Sequence, residues 1–223
     1  MIYALLTATL LVLASGDPAW AGGWLYLATL VAGQLATAWT LALGDPALLR
    51  ERSAAAAGQG TVVGDRRTVT WDRRLAPLTA SGPLACGLVA GLSVRWSWTP
   101  RFPPATEAAG IALYAAGLLV GLWATTSDPL LTTVRRMHAT QGRTAAIGGP
   151  YRFVRHPGTA GALLGDLAAP LILGSPWALA PAITVALVLL LRMVLEDRAL
   201  RAALPGYADY ARRVRRCLVP GVW

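Results

Sequence analysis

Residues 20–43 carry no charge at all. As a helix rising 1.5 Å per residue the run is about 36 Å long, enough to cross the roughly 30 Å hydrocarbon core of a bilayer. Residues 2–14, 75–94, 105–126, 159–173 and 177–191 are further apolar runs, separated by turn-forming or arginine-rich stretches. With a hydrophobic fraction of 55% and a mean hydropathy of +0.50, the chain reads as an all-α integral membrane protein. About six transmembrane passes are expected, four plus a C-terminal helical hairpin that turns at Gly174-Ser175-Pro176. Residues 2–14 follow the initiator Met with no basic residue before them, so they read as a short first transmembrane helix rather than a secretory signal. Trp20, Trp24 and Tyr26 are placed as an aromatic belt near one interface.

Arginine placement orients the bundle. The loop at 45–74, the loop at 127–155 and the tail after 191 hold six, five and seven arginines, against only Arg95 and Arg101 on the other side. Cytoplasmic segments are the arginine-rich ones, so both termini and all the polar segments are expected inside. The chain is then one membrane domain over 1–223. Residues 1–126 supply four spans and the cytoplasmic loop 45–74; residues 127–223 supply a polar motif, the hairpin and a cytoplasmic tail. Within loop 45–74, residues 47–57 suit a short surface helix and 58–64 a loop. Pro77 and Pro83 interrupt the third span, and neighbouring helices must accommodate them.

Composition also excludes functions. The formal charge of +9 is dispersed between apolar spans without a recognition motif, which fits anionic lipid headgroups and not nucleic acid. All 20 basic residues are arginine, so no lysine Schiff base or lysine general base can form. Cys86 and Cys217 have neither disulfide nor metal-ligand spacing. Gly87/Gly91, Gly117/Gly121 and Gly161/Gly165 make GxxxG pairs inside apolar runs, where close helix packing is the expected role.

Two polar patches lie at the edges of apolar runs: GGPYRFVRHPGTAG at 148–161 and Arg192-Met193-Val194-Leu195-Glu196-Asp197. Ionisable groups there are costly to place and mark a functional site. Gly148-Gly149-Pro150 is a flexible turn, and Pro157 keeps His156 out of a regular helix. Residues 151–157 therefore form an ordered extended or single-turn piece that offers Tyr151, Arg152, Arg155 and His156 to an anionic or aromatic ligand. Arg192 and Glu196 share one helix face, so an intrahelical ion pair competes with ligand binding there. On that reading their face is turned toward the motif and Asp197 is turned away. Asp166, inside the run after the motif, is a buried acid that either caps a polar tunnel or bonds a neighbouring helix.

GPYRFVRHP at 149–157 with Gly161, Glu196-Asp197 followed by Leu200, Pro205-Gly206-Tyr207, Tyr210 and CLVPGVW at 217–223 together resemble the isoprenylcysteine carboxyl methyltransferase and phospholipid methyltransferase superfamily of membrane enzymes. The N-terminal half is similar only in layout, including Asp45-Pro46 with Leu48-Leu49 and Trp71-Asp72. The resemblance implies S-adenosylmethionine as cofactor. It implies Arg155, His156 and Glu196 at the catalytic centre, and Gly149, Pro150, Tyr151, Arg152, His156, Pro157, Gly161, Glu196 and Tyr207 around the cofactor. Glu196 would meet the cofactor's ammonium. Thr159 stands where the family commonly has Tyr, and Gly142-Arg143-Thr144 where it usually has a Gly-His pair, with His138 nearby.

In the tail, Tyr207, Tyr210, Ala211, Val214, Cys217 and Leu218 fall on one helical face and Arg212, Arg213, Arg215 and Arg216 on the other, as in an interfacial helix; the resemblance implies a lid over the cofactor as the other role. The acceptor expected from the resemblance is lipophilic and enters from the bilayer: a prenylated carboxylate, a lipid amine, or a small lipophilic acid, phenol or thiol. A carboxylate acceptor needs no base, whereas an amine or hydroxyl does, and His156, Glu196, Asp197 and Asp166 are the candidates. An NADPH-dependent reductase of the sterol-reductase type and a non-enzymatic membrane scaffold are the alternatives. The compartment expected is a bacterial inner membrane.

Overall fold

The computed structural model describes residues 2–44, 66–98, 102–127, 148–203 and 206–219. The expected surface helix at 47–57, the loop at 58–64, Asp45-Pro46 with Leu48-Leu49, Arg135, Arg136, His138, Gly142-Arg143-Thr144, Pro205 and residues 220–223 lie outside these. Among the described residues every regular element is helical. The α-helices are α1 Ile2–Ser15, α2 Ala21–Gly44, α3 Arg66–Ala80, α4 Gly82–Arg95, α5 Pro104–Ser127, α6 Pro157–Ile172, α7 Leu179–Ala203 and α8 Tyr207–Arg213. Short 3-10 turns at Gly149–Arg152 and Pro176–Ala178 introduce α6 and α7.

Among the described residues three helices are long and apolar enough to cross a membrane: Ala21–Leu43, Ala105–Ser127 and Pro176–Ala202. A fourth candidate is the pair Arg74–Ala80 and Gly82–Arg95, bent by 43°. The break falls at Ser81, between Pro77 and Pro83, because Pro83 has no N–H to return to the preceding turn. Of the six expected passes, α1 and α6 have 14 and 16 residues, so each falls short of the hydrocarbon thickness as a straight helix. Leu35, Trp39, Leu43 and Leu119 are each at least 65% exposed. Apolar side chains of that size facing outward from all-apolar helices are what a lipid environment accepts and water does not.

Glycine decides the tightest packing. α5 and α6 run antiparallel, and a Cβ on Gly161 would lie 2.5 Å from the Gly117 carbonyl oxygen, one on Gly117 2.6 Å from that of Gly161. A Cβ on Gly91 would meet Ala14 at 2.7 Å, fixing α1 against α4. These are the close approaches that the GxxxG spacing anticipates.

The two ends of the bundle differ. At one end Trp20, Tyr26, Cys86, Ala90, Ile172, Leu173 and Ala178 form a buried core. Tyr26 is only 1% exposed and its hydroxyl donates to the Pro83 carbonyl. Tyr26 and the buried Trp20 are thus core residues and not a belt; Trp24 alone of the three is exposed. Exposed Trp96, Trp98 and Trp177 pack their rings together beyond this core. The Gly174-Ser175-Pro176 turn is tied down by a buried 2.8 Å hydrogen bond between the Ser93 and Ser175 hydroxyls. The C-terminal ends of α5 and α7 and the N-terminal end of α6 lie at the opposite end, where the charged residues gather.

Candidate functional site

The motif is a shaped turn wedged beside the end of α5. Gly149 has φ +52°, and a Cβ there would fall 2.1 Å from Ser127 Oγ, so both the backbone and the space require glycine. Pro150, the second residue of the 3-10 turn, is buried. Phe153 leans on Trp123 with ring centroids 6.4 Å apart, and the exposed Arg152 guanidinium sits 4.5 Å over the Phe153 ring. The chain then extends, and the Arg155 and His156 amides donate to the Arg216 and Cys217 carbonyls, each at 2.9 Å. His156 takes the N-cap position of α6 with Pro157 at N1, where a missing N–H costs nothing.

Asp197 is the hub of this end. Its Oδ1 accepts from Arg155 Nε at 2.9 Å and Tyr207 OH at 2.8 Å, with His156 Nε2 at 3.2 Å; its Oδ2 accepts from Arg155 Nη2 at 3.2 Å and Arg201 Nε at 2.9 Å. Arg155 also donates from Nη1 to the Val214 and Arg215 carbonyls, both at 2.8 Å, and from Nη2 to Cys217 Sγ. A guanidinium has five N–H donors, and all five are engaged within the protein. The two-point contact with Asp197 is the strong form of the pair. Because a carboxylate only accepts, His156 carries its proton on Nε2 at this contact.

The hub is dry. Arg155, His156 and Asp197 are 6%, 8% and 8% exposed. Burial alone would press the Arg155 guanidinium down, but the Asp197 carboxylate overrides it and holds it above its ordinary value. Burial, and after it the hydrogen bond to Asp197, pushes the Tyr207 hydroxyl well above the usual tyrosine range. Tyr210 donates to the Tyr151 carbonyl at 2.8 Å, adding a second tie between tail and motif.

The structure therefore brings together Arg155, His156 and Tyr207 from the expected set, with Tyr151 tied in through Tyr210, but it organises them around Asp197. The expectation that Asp197 turns away from the motif is overturned. Met193 and Asp197, four apart on α7, share the face against the motif and tail, and Met193 is 1% exposed. Arg192 and Glu196 form the adjacent stripe. Arg192 does not pair with Glu196: its Nε donates to Asp72 on α3 at 2.7 Å. Glu196 is half-buried, and among the described residues it has no ion-pair partner. Pro157 is buried, and Gly161 is occupied by its backbone contact with Gly117. Gly149, Pro150 and Tyr151 line the turn, and Arg152 points outward.

The tail departs from the expected interfacial helix. α8 stops at Arg213, and Val214 to Cys217 run extended beside Arg155 and His156. The apolar face is nevertheless buried as patterned. Tyr207, Tyr210, Ala211 and Val214 pack with Leu200, and Cys217 and Leu218 with Met193. It covers the protein's own core and does not face lipid.

A helical membrane protein with a buried, fully satisfied polar hub at one end of its bundle is the class that fold and site define. Residues 105–204 match the family model of phospholipid methyltransferase, so this segment is a phospholipid methyltransferase domain in the isoprenylcysteine/phospholipid methyltransferase superfamily. The family implies methyltransferase activity in a membrane protein. No curated protein matches the chain. The matched segment contains α5, the motif, the hairpin and the hub residues Arg155, His156, Asp197 and Arg201; Tyr207 and the rest of the tail lie beyond it.

Proposed function

We propose that this protein is an S-adenosylmethionine-dependent methyltransferase acting on a lipophilic acceptor at the cytoplasmic membrane interface, in a bacterial inner membrane with both termini inside. The observation that carries the reading is that the Gly149 turn, the exposed Arg152 and the half-buried Glu196, which has no ion-pair partner among the described residues, all lie within the matched domain and toward the same end of the bundle. That donor set fits the cofactor. Glu196 offers a carboxylate to an ammonium, Arg152 a guanidinium to a carboxylate, and Tyr151 and Phe153 offer ring faces to an adenine. When bound, S-adenosylmethionine supplies an electrophilic methyl group on a sulfonium.

The protein's own contribution is alignment. Arg155, His156 and Tyr207 act as positioning residues: through Asp197 they lock the motif, the end of α7 and the tail into one body, so that Glu196 and the 3-10 turn hold a fixed spacing. The acceptor reaches this end from the bilayer, between helices.

Calorimetry on the purified protein is the test. S-adenosylhomocysteine should bind in the micromolar range, roughly −8 kcal/mol, and NADPH should not bind. Binding of NADPH with no response to either sulfur nucleoside would overturn the reading. Reporter fusions at Gly64 and at the C-terminus should both report cytoplasm, and a fusion at Ser175 the opposite side.

A further inference from the structure

Arg212, Arg213, Arg215 and Arg216 of the tail are all exposed, yet the backbone that carries them is fixed. The Val214 amide donates to the Tyr210 carbonyl at 2.8 Å, the Arg215 carbonyl accepts from Arg155 Nη1 at 2.8 Å, and the Arg216 carbonyl accepts from the Arg155 amide at 2.9 Å. Val214 and Cys217 turn their side chains into the protein, so the guanidinium groups beside them are left pointing outward. Arg212 pairs with Asp209. Among the described residues Arg213, Arg215 and Arg216 have no acidic partner, and Asp197 and Asp72 are taken by Arg155 and Arg192. Three like charges held this close repel one another, and an anion set against them removes the cost.

The depth of the strip selects the anion. Cys217 and Leu218 pack on Met193 beside Leu163 and Leu190. Leu190 lies at the end of the charge-free stretch of α7, two residues before Arg192, so the tail returns to the level where the apolar part of the bundle ends. An extended residue advances about 3.3 Å, which puts the backbones of Arg215 and Arg216 within about 7 Å of that level. The headgroup layer on each side of a bilayer has that thickness, roughly 5–7 Å. Val219, on the far side of Cys217, is 50% exposed, an apolar side chain suited to the same layer. We propose that Arg213, Arg215 and Arg216 bind the phosphate groups of anionic phospholipids, so that the outer side of the tail is clamped to the membrane surface while its inner side holds the hub. This goes beyond the transferase reading, since it assigns a lipid-binding surface that needs neither the cofactor nor a methyl acceptor.

Native mass spectrometry of the full-length protein in detergent, with no S-adenosylmethionine present, measures the binding of phosphatidylglycerol, phosphatidylcholine and inorganic phosphate. Each arginine near an anionic surface contributes roughly fivefold, so three contribute on the order of a hundredfold before screening. Wild type should bind phosphatidylglycerol roughly tenfold or more tighter than phosphatidylcholine, and added salt should shrink that preference. The triple replacement Arg213→Gln, Arg215→Gln, Arg216→Gln should remove most of the preference and leave phosphatidylcholine binding unchanged. Arg95→Gln, an exposed arginine at the other end of the bundle, should leave the preference intact. Equal binding of the two lipids by wild type, or a preference that survives the triple replacement, would overturn the proposal. Inorganic phosphate binding as tightly as phosphatidylglycerol would assign the strip to a soluble anion and would also overturn it. If the triple variant does not fold, the three single replacements decide in its place, each expected to lower the preference roughly threefold to fivefold. Because the cofactor is absent throughout, a failure here leaves the transferase reading standing, and a failure of that reading leaves this result intact.

Discussion

Replacing Asp197 with asparagine tests whether the buried hub holds this end of the bundle together. The substitution keeps the size of the side chain but removes its charge and replaces one accepting oxygen with a donating nitrogen. Arg155, 6% exposed, stays in place with its other donors on the Val214 and Arg215 carbonyls. It would then be a buried guanidinium without its counter-ion, and one of its contacts to residue 197 would set donor against donor. Removing one partner of a buried pair costs on the order of 3–5 kcal/mol. A surface pair such as Arg212 with Asp209 would cost about 0–1 kcal/mol at most, so the two cases separate cleanly. Denaturant titration in detergent, with tail cleavage by protease as a second readout, measures the effect. Asp197→Asn should destabilise by about 3–5 kcal/mol and expose the tail to cleavage. The double replacement Arg155→Met, Asp197→Leu should recover part of the loss, because it leaves no buried charge unpaired; the remainder stays with the Tyr207 hydroxyl and His156 Nε2, which lose their acceptor. A change under about 0.5 kcal/mol in Asp197→Asn, with the tail still protected, would refute the hub as a structural tie.

Glu196→Gln should leave denaturant stability unchanged and weaken S-adenosylhomocysteine binding roughly tenfold to a hundredfold, the cost of one charge-assisted hydrogen bond, as read by calorimetry; unchanged affinity would remove Glu196 from the cofactor site. Tyr207, whose hydroxyl burial and Asp197 hold protonated, should contribute stability that is complete below the unfolded tyrosine value of about 10 and falls as pH rises above it. Denaturant titrations at pH 8 and at pH 11 should show that fall in wild type and a smaller one in Tyr207→Phe. Gly161→Ala should cost about 1–3 kcal/mol because its Cβ meets the Gly117 carbonyl oxygen, whereas Gly121→Ala, with nothing near its Cβ, should stay within about 0.5 kcal/mol; equal effects in thermal denaturation would contradict the α5–α6 contact.

The sequence by itself determined the parts of this protein that depend on local periodicity and steric rules. Apolar run length marked α2, α5 and α7 as spans, prolines marked the break in the third span, and GxxxG pairs marked the faces where α5 meets α6 and α1 meets α4. Pro157 set the start of α6, and the tail's alternation of apolar residues and arginines grouped Tyr207, Tyr210, Val214 and Cys217 on one apolar side. Tertiary structure decided which way each face points. Helical spacing groups Arg192 with Glu196 and Met193 with Asp197, yet it carries no information on the rotation of α7 about its axis. That rotation is set by packing Met193 against Cys217 and Leu218 and by Arg192 reaching Asp72, 120 residues away. The same holds for the tail, whose apolar side could cover lipid or protein with one pattern; the amides of Arg155 and His156 select protein by pairing with the carbonyls of Arg216 and Cys217. Asp166 was legible as a misplaced acid, but it is half-buried, and only the assembly of α2, α4, α5, α6 and α7 made the cleft it lines. A contact between residues far apart in sequence is fixed by shape complementarity and hydrogen-bond satisfaction across the whole bundle, and no local pattern encodes it.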